Sequence, residues 1–175
     1  KENNIVISQF VHCAVSMKLF PLKMVNIDTI NTIFATNIFS AALIIKILVN
    51  RKFNNAALSS VVLISSNISN FGAKAFSIYG ASKAGLDGLM RSLAIELAPK
   101  VRINSVLPGA IRTEMTEFIF EDQNTIQRME STYPLGLGTT NDIFEMVNFL
   151  LSEKARWITG QQFTVDGGKT INITG

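Results

Sequence analysis

Four consecutive apolar residues, Val61-Val62-Leu63-Ile64, sit between serines at 59–60 and 65–66. A run this short and apolar, rich in β-branched side chains, predicts a strand buried on both faces. Such strands belong to parallel sheets, whose neighbours are joined by helical crossovers. The chain supplies candidates for both. Upstream, Ile5 to Val11 is a β-rich run, and Asp28 opens an apolar-periodic stretch to about Leu48. Within it Ile30, Ile33, Phe34, Ile38, Ala41 and Ile45 recur at helical spacing. Downstream, Ile78 to Ala98 predicts a long helix with a stripe of Leu86, Leu89, Met90, Leu93 and Leu97, stopped by Pro99. Val101 to Leu107 predicts a strand closed by Pro108-Gly109. Asp142 to Leu151 predicts a helix, and Phe163 to Val165 a last strand closed by Asp166-Gly167-Gly168. The alternation predicts an α/β, Rossmann-like, doubly wound parallel sheet, with residues 1–175 forming one partial domain. Ligands of such sheets bind beyond the carboxyl ends of the strands, which directs attention to Ser65-Ser66 and Pro108-Gly109.

Composition removes several function classes. With 47% hydrophobic and 17% charged residues the chain is not of the disordered type. A formal net charge of +3, with the basic residues scattered, gives no nucleic-acid stripe. Cys13 is the only cysteine, so no internal disulfide forms and a cytoplasmic setting is expected. The only histidine, His12, is its neighbour. Two adjacent residues make a poor metal site, and His12 reads instead as a buried strand end. No unbroken run of about 18 apolar residues occurs, and the most apolar stretch, Ala41 to Val49, is broken by Lys46, so no membrane partner is expected. Lys1 and Glu2 do not read as a basic opening segment, so no signal peptide is expected in this stretch.

The chemistry centres on Tyr79-Gly80-Ala81-Ser82-Lys83. Tyr79 and Lys83 are four apart and share one helix face. A phenol titrates near 10, above the range best suited to a general acid/base, and a neighbouring ammonium is expected to lower it. The pair therefore suits proton transfer to or from an alcohol or ketone oxygen. Taken alone it equally describes a solvated lysine beside a half-buried tyrosine. Ser66, thirteen positions earlier at a strand end, adds a hydroxyl able to bond a substrate oxygen, or else caps a loop.

Several motifs recur in order with these residues. They are Thr36-Asn37, Leu63-Ile64-Ser65-Ser66, Tyr79-Gly80-Ala81-Ser82-Lys83, Arg102 through Gly109, Thr113-Glu114-Met115, Tyr133-Pro134-Leu135-Gly136, Ile158-Thr159-Gly160-Gln161 and Val165-Asp166-Gly167-Gly168. In this respect the chain resembles the classical short-chain dehydrogenase/reductase family, in its 3-oxoacyl-acyl-carrier-protein-reductase-like branch, from about residue 28 to 168. The resemblance implies hydride transfer between NAD or NADP and a carbonyl or alcohol substrate. It implies Tyr79 as acid/base and Lys83 as the group that lowers its pKa and holds the nicotinamide ribose. Ser66 would polarise the carbonyl, and Asn37 would anchor a proton relay. Pro108 and Gly109 would floor the nicotinamide, and Ile111 and Thr113 would contact it. Enoyl reductases of this kind place the lysine two residues later, where this chain has Gly85, so a carbonyl/alcohol reaction is favoured.

The departures are specific. No G-x-G-x-x-G loop is present, and the residue that would choose NAD or NADP is missing with it. The turn after the first strand reads Val11-His12-Cys13-Ala14, with Val15 where the family has glycine. A chain starting here would leave the first strand as a bare edge, so a longer natural chain is expected, with residues omitted upstream or near Ala14. Met115 to Arg128 occupies the place of a substrate lid, and Met115, Phe118, Ile119 and Phe120 suit a hydrophobic acyl or ring substrate or, equally, an amphipathic surface helix. Lys100 and Arg102 read as solvated charges in preference to a carrier-protein contact. The resemblance implies a homo-oligomer, tetramer or dimer, built by pairing the long helices and the C-terminal segment. The alternative is a truncated, catalytically silent relative acting as a binding or structural subunit.

Overall fold

The computed structural model describes residues 5–114, 116–117 and 120–172. Four parallel strands lie in the order β1 (Gln9–His12), β2 (Ser60–Ile64), β3 (Arg102–Pro108) and β4 (Gln162–Val165). Sequence order and spatial order coincide, and Val61 pairs with Phe10 on one side and Ile103 on the other. The run from Ile5 enters the ladder later than its composition predicts. Ile7 is held in place by Asn54, whose Oδ1 accepts the Ile7 N–H at 2.7 Å and whose Nδ2 donates to the Ile7 carbonyl at 2.8 Å. Among the described residues β1 pairs only with β2.

Strand alternation divides the core in two. Val61, Leu63 and Ile103 pack on one face with Ala41, Ile45 and Leu48 and with Leu86, Met90 and Ala94. These come from α2 (Ser40–Leu48) and α4 (Ser77–Glu96). Val62 and Val106 face the other way, against Val147 and Leu150 of α6 (Thr140–Leu151). Helices on both faces explain why Val61 to Ile64 is apolar without a break.

The stretch from Asp28 to Leu48 forms one continuous rod: α1 (Ile27–Phe34), a π-helical turn (Ala35–Phe39) and α2. Asn26 caps it, accepting the Thr29 N–H at 2.8 Å. The short α3 (Arg51–Asn54) follows, and α5 (Gln123–Glu130) lies in the lid region. The rod from Ile27 to Leu48 is long and apolar enough to cross a membrane by length and mean hydropathy, which counting an unbroken apolar run did not register. In the fold its inner stripe, Ile33, Asn37, Ala41, Ile45 and Leu48, is buried against the domain. Phe39, Leu43 and Ile47 face outward.

Arg102 is half-buried, and its guanidinium has backbone partners as well as solvent. Its guanidinium donates to the carbonyls of Leu150 at 2.8 Å and Ser152 at 3.2 Å, closing the C-terminal end of α6. Asn104, fully buried, donates from Nδ2 to the Ile158 carbonyl and accepts the Gln161 N–H on Oδ1, each at 3.1 Å. The Arg-x-Asn spacing thus ties β3 to the helix before β4 and to the loop leading into it. Trp157, in that loop, is 90% exposed.

Leu63 is completely buried in the first core. Leu63→Ala is expected to lower unfolding free energy by about 2–5 kcal/mol, measured by urea titration at fixed m-value.

Candidate active site

The carboxyl ends of the strands open into a cavity of about 1090 Å³. Its walls include Ser66, Tyr79, Lys83, Pro108, Gly109, Ile111 and Thr113, so the sequence-predicted residues other than Asn37 share one space. Phe76, Phe120 and Tyr133 add aromatic surface to the wall. Met115, Phe118 and Ile119, expected in a lid, lie outside the described residues.

Ser66 ends the chain's run out of β2 and caps the following 3-10 turn, its Oγ accepting the Ile68 N–H at 3.3 Å. The Ser66 and Tyr79 side chains line the same cavity wall. Tyr79 is 7% exposed. Burial pushes its phenol above the ordinary value of 10.0, and the Ser66 hydroxyl offsets part of that. The expected depression by Lys83 is therefore not the dominant effect. The Lys83 ammonium lies 5.8 Å from the Tyr79 ring centroid and is turned to the Ile64 carbonyl, to which it donates at 2.8 Å.

Lys83 is only 1% exposed. Burial lowers it from 10.5 to about 8, against the opposing pull of Asp87 one turn on. Asp87 is a residue that sequence reasoning missed. It is buried, and its Oδ2 accepts the Ser65 hydroxyl at 2.9 Å, joining the first serine of the Ser65-Ser66 pair to the helix that bears Tyr79 and Lys83. An aspartate four after a lysine, on the apolar side of a helix, was the available signal.

Asn37 sits within the π-helical turn, one step behind the cavity wall, and is fully buried. Its Oδ1 accepts the Ser16 N–H at 2.7 Å. Its Nδ2 donates to the Ser16 carbonyl at 3.1 Å and to Ser82 Oγ at 2.8 Å. Ser82 in turn donates to the Tyr79 carbonyl at 2.7 Å. The amide thus joins the loop after β1, the rod and the catalytic-candidate helix. The π-turn is invisible to a 3.6-residue pattern, because apolar residues on both sides keep their phase well enough to read as one helix.

The floor is set by close approach. A Cβ on Gly109 would lie 2.8 Å from Asp166 Cβ and 3.0 Å from Tyr133 Cε1, so only glycine fits. Tyr133 Oη accepts the Ala110 N–H at 3.0 Å, and Ile111 bridges to Gly138. Asp166 holds the last turn, accepting the Gly168 and Thr170 N–H groups. The Tyr133-Pro134-Leu135-Gly136 and Val165-Asp166-Gly167-Gly168 motifs therefore act by fixing the Pro108–Ile111 segment.

A parallel sheet with helices on both faces, a tyrosine and lysine one turn apart, and a serine in the same cavity wall define a dehydrogenase-type site. A family model described as Enoyl-(Acyl carrier protein) reductase matches residues 5–170. The chain belongs to the short-chain dehydrogenase/reductase family. It is 40% identical over 116 residues to a tropinone reductase homolog of Arabidopsis thaliana, covering 65% of this chain and 43% of that protein. It is 34% identical over 149 residues to an L-rhamnose 1-dehydrogenase (NAD(P)(+)) of a Sphingomonas species, covering 84% of this chain and 59% of that one. A solved 4-hydroxyisoleucine dehydrogenase, complexed with NADH and succinate, superposes with a TM-score of 0.89 at 26% identity, over 96% of this chain and 70% of that one. The chain spans between 38% and 59% of the length of the curated relatives it matches.

The buried lysine makes stability depend on pH in a defined direction. Its folded value, about 8, lies below its ordinary 10.5, so between them the unfolded chain binds more protons and stability rises with pH. Wild type is expected to gain about 1–3 kcal/mol relative to Lys83→Met between pH 7.5 and 10.5. Denaturant titrations of both proteins across that range check it, and parallel curves would contradict the lysine's burial.

Proposed function

We propose that the protein is an NAD(P)-dependent oxidoreductase acting on a carbonyl or secondary alcohol. The observation that carries this reading is the presence of Ser66, Tyr79 and Lys83 together in the wall of one cavity. A bound nicotinamide cofactor supplies or accepts the hydride. In the reductive direction the Tyr79 phenol gives its proton to the developing alkoxide, and burial favours the neutral, proton-bearing form. Ser66 donates to the same oxygen and shares the charge that grows on it. Lys83, ionised below about pH 8, opposes any build-up of positive charge nearby and stabilises the phenolate left behind.

The residues present fit the nicotinamide half of such a cofactor. The Gly109 cradle leaves no room for a side chain between Asp166 and Tyr133, and Ile111 and Thr113 line the same wall. Lys83 would hold ribose hydroxyls. The choice between NAD and NADP stays open.

Carbonyl chemistry is favoured over reduction of a carbon–carbon double bond. The lysine stands four residues after Tyr79, and a Cβ at Gly85, two residues later, would lie 2.7 Å from Ile38 Cδ1. Phe76, Phe120 and Met129 in the wall support an apolar ketone, and a 3-oxoacyl thioester is one such substrate. Outward-facing Phe39, Leu43, Ile44 and Ile47 support a homo-oligomer formed along the rod. A cytoplasmic setting, without nucleic acid or membrane as partner, completes the proposal. A silent binding subunit is the weaker reading, since it has no use for Ser66, Tyr79 and Lys83 in one cavity.

Tyr79→Phe in the full-length protein is expected to lower kcat by about 10²-fold or more for ketone reduction, with the fold intact by circular dichroism. Steady-state assays with NADH and NADPH and a panel of apolar ketones check this. Wild-type turnover retained by the Phe variant removes Tyr79 as the acid, and wild-type inactivity across the panel favours the silent subunit.

A further inference from the structure

The wall of the cavity carries charge of one sign. Its ionisable side chains are Cys13, Tyr79, Lys83, Tyr133 and Lys169, and no carboxylate is among the described residues that line it. Two cations at this end of the sheet are already engaged. Lys83 donates to the Ile64 carbonyl, and Arg112 is paired with Glu117. Lys169 is not. It is half-buried, and its side chain makes no hydrogen bond or ion pair among the described residues. Its ammonium lies 5.8 Å from the centroid of the Tyr133 ring. That is the outer range of a cation–π contact, and it leaves the N–H donors for another group.

Tyr133 is a fixed platform. Its Oη accepts the Ala110 N–H at 3.0 Å, and its Cε1 lies 3.0 Å from the place a Gly109 Cβ would take. Lys169 is thereby seated next to the Pro108–Ile111 segment, on a wall it shares with Ser66 and Tyr79. The backbone around it has no donors to spare. The Lys169 N–H goes to the Asp166 carbonyl at 3.0 Å, and the Asp166 carboxylate accepts the Gly168 and Thr170 N–H groups. A phosphate calls for several converging donors, from backbone N–H groups or a guanidinium fork. One ammonium, three residues from a buried carboxylate, suits a ligand group with a single negative charge.

We propose that Lys169 anchors a carboxylate of the substrate, so that the protein acts on an oxo acid and the matching hydroxy acid in preference to a neutral ketone. The proposal rests on the function given above and narrows its substrate. The carboxylate pairs with the ammonium over Tyr133, and the reacting carbonyl meets Tyr79 and Ser66. An apolar chain between them fits the Phe76, Phe120 and Met129 surface of the same wall. Lys169 determines specificity and takes no part in hydride or proton transfer. A contact of this kind is made in ground and transition states alike, so its loss raises KM more than it lowers kcat.

The test uses the full-length protein with NADH and NADPH, and acetoacetate, levulinate and longer oxo acids, each beside its methyl ester. Acid and ester are measured on the same sample, so misfolded protein cancels from their ratio of kcat/KM. Wild type is expected to favour an acid over its ester by about 10-fold or more. Lys169→Met keeps the apolar stem and is expected to erase that preference through KM for the acid, and Lys169→Arg is expected to retain it. A wild type that uses neutral ketones or esters at least as well as every acid overturns the proposal. So does a preference that survives in Lys169→Met while NADH or NADPH binds more weakly or as before, the weaker binding assigning the ammonium to a cofactor phosphate. A wild type that turns over neither acids, esters nor neutral ketones sinks the proposed function. Calorimetric titration of the acids into the protein with NADH then decides the anchor: binding lost in Lys169→Met upholds it, and equal or absent binding overturns it.

Discussion

An ammonium buried to the extent of Lys83 is costly unless its protons are taken up, and the arrangement around it answers that need. The Ile64 carbonyl receives it directly, at the point where β2 runs out of ladder partners. Asp87 balances its charge from one turn along the helix. The helix is held at this depth by apolar packing below, through Leu86 and Met90, and by Asn37 and Ser82 above. Sheet edge, helix phase and polar seam are therefore one problem with one solution. Moving α4 by a single residue would leave a charge unsatisfied and expose a phenol that burial keeps protonated.

The parts of this solution differ in how plainly the sequence announces them. Strands β2 to β4, the rod, α4 and α6 were legible because their signals are local: a β-branched run, an apolar stripe, a proline stop, a Pro-Gly or Gly-Gly close. The first strand was legible in kind and not in extent. Ile5 to Ser8 has strand composition, but Asn54, 47 residues from Ile7, takes its backbone groups. The Tyr79–Lys83 pair and Ser66 were legible from spacing and order. Their protonation was not, since burial is a property of the assembled fold and here it outweighs the neighbouring charge. The carbonyl partners of Arg102 were hidden for a related reason. A basic residue flanking a strand looks solvated until the carbonyls of a helix end, 48 residues later, arrive beside it.

Likeness to relatives and the local geometry give different kinds of knowledge. The matching family model bears the name of an enoyl reductase, whereas the relatives compared are named a tropinone reductase homolog and an L-rhamnose 1-dehydrogenase. Gly85 lets α4 and the rod touch at Ile38, and it stands two residues after Lys83.

The exposure of Trp157 has a practical side. It is the only tryptophan in the chain, and it stands almost fully in water while the fold is intact. Its indole already experiences the environment that unfolding would give it, so its emission is a poor gauge of whether this unit is folded. Covering the loop between α6 and β4 with another protein surface would move the ring from water to an apolar contact and shift the emission to the blue. The native indole is thus a built-in optical reporter of association at this end of the sheet, requiring no label.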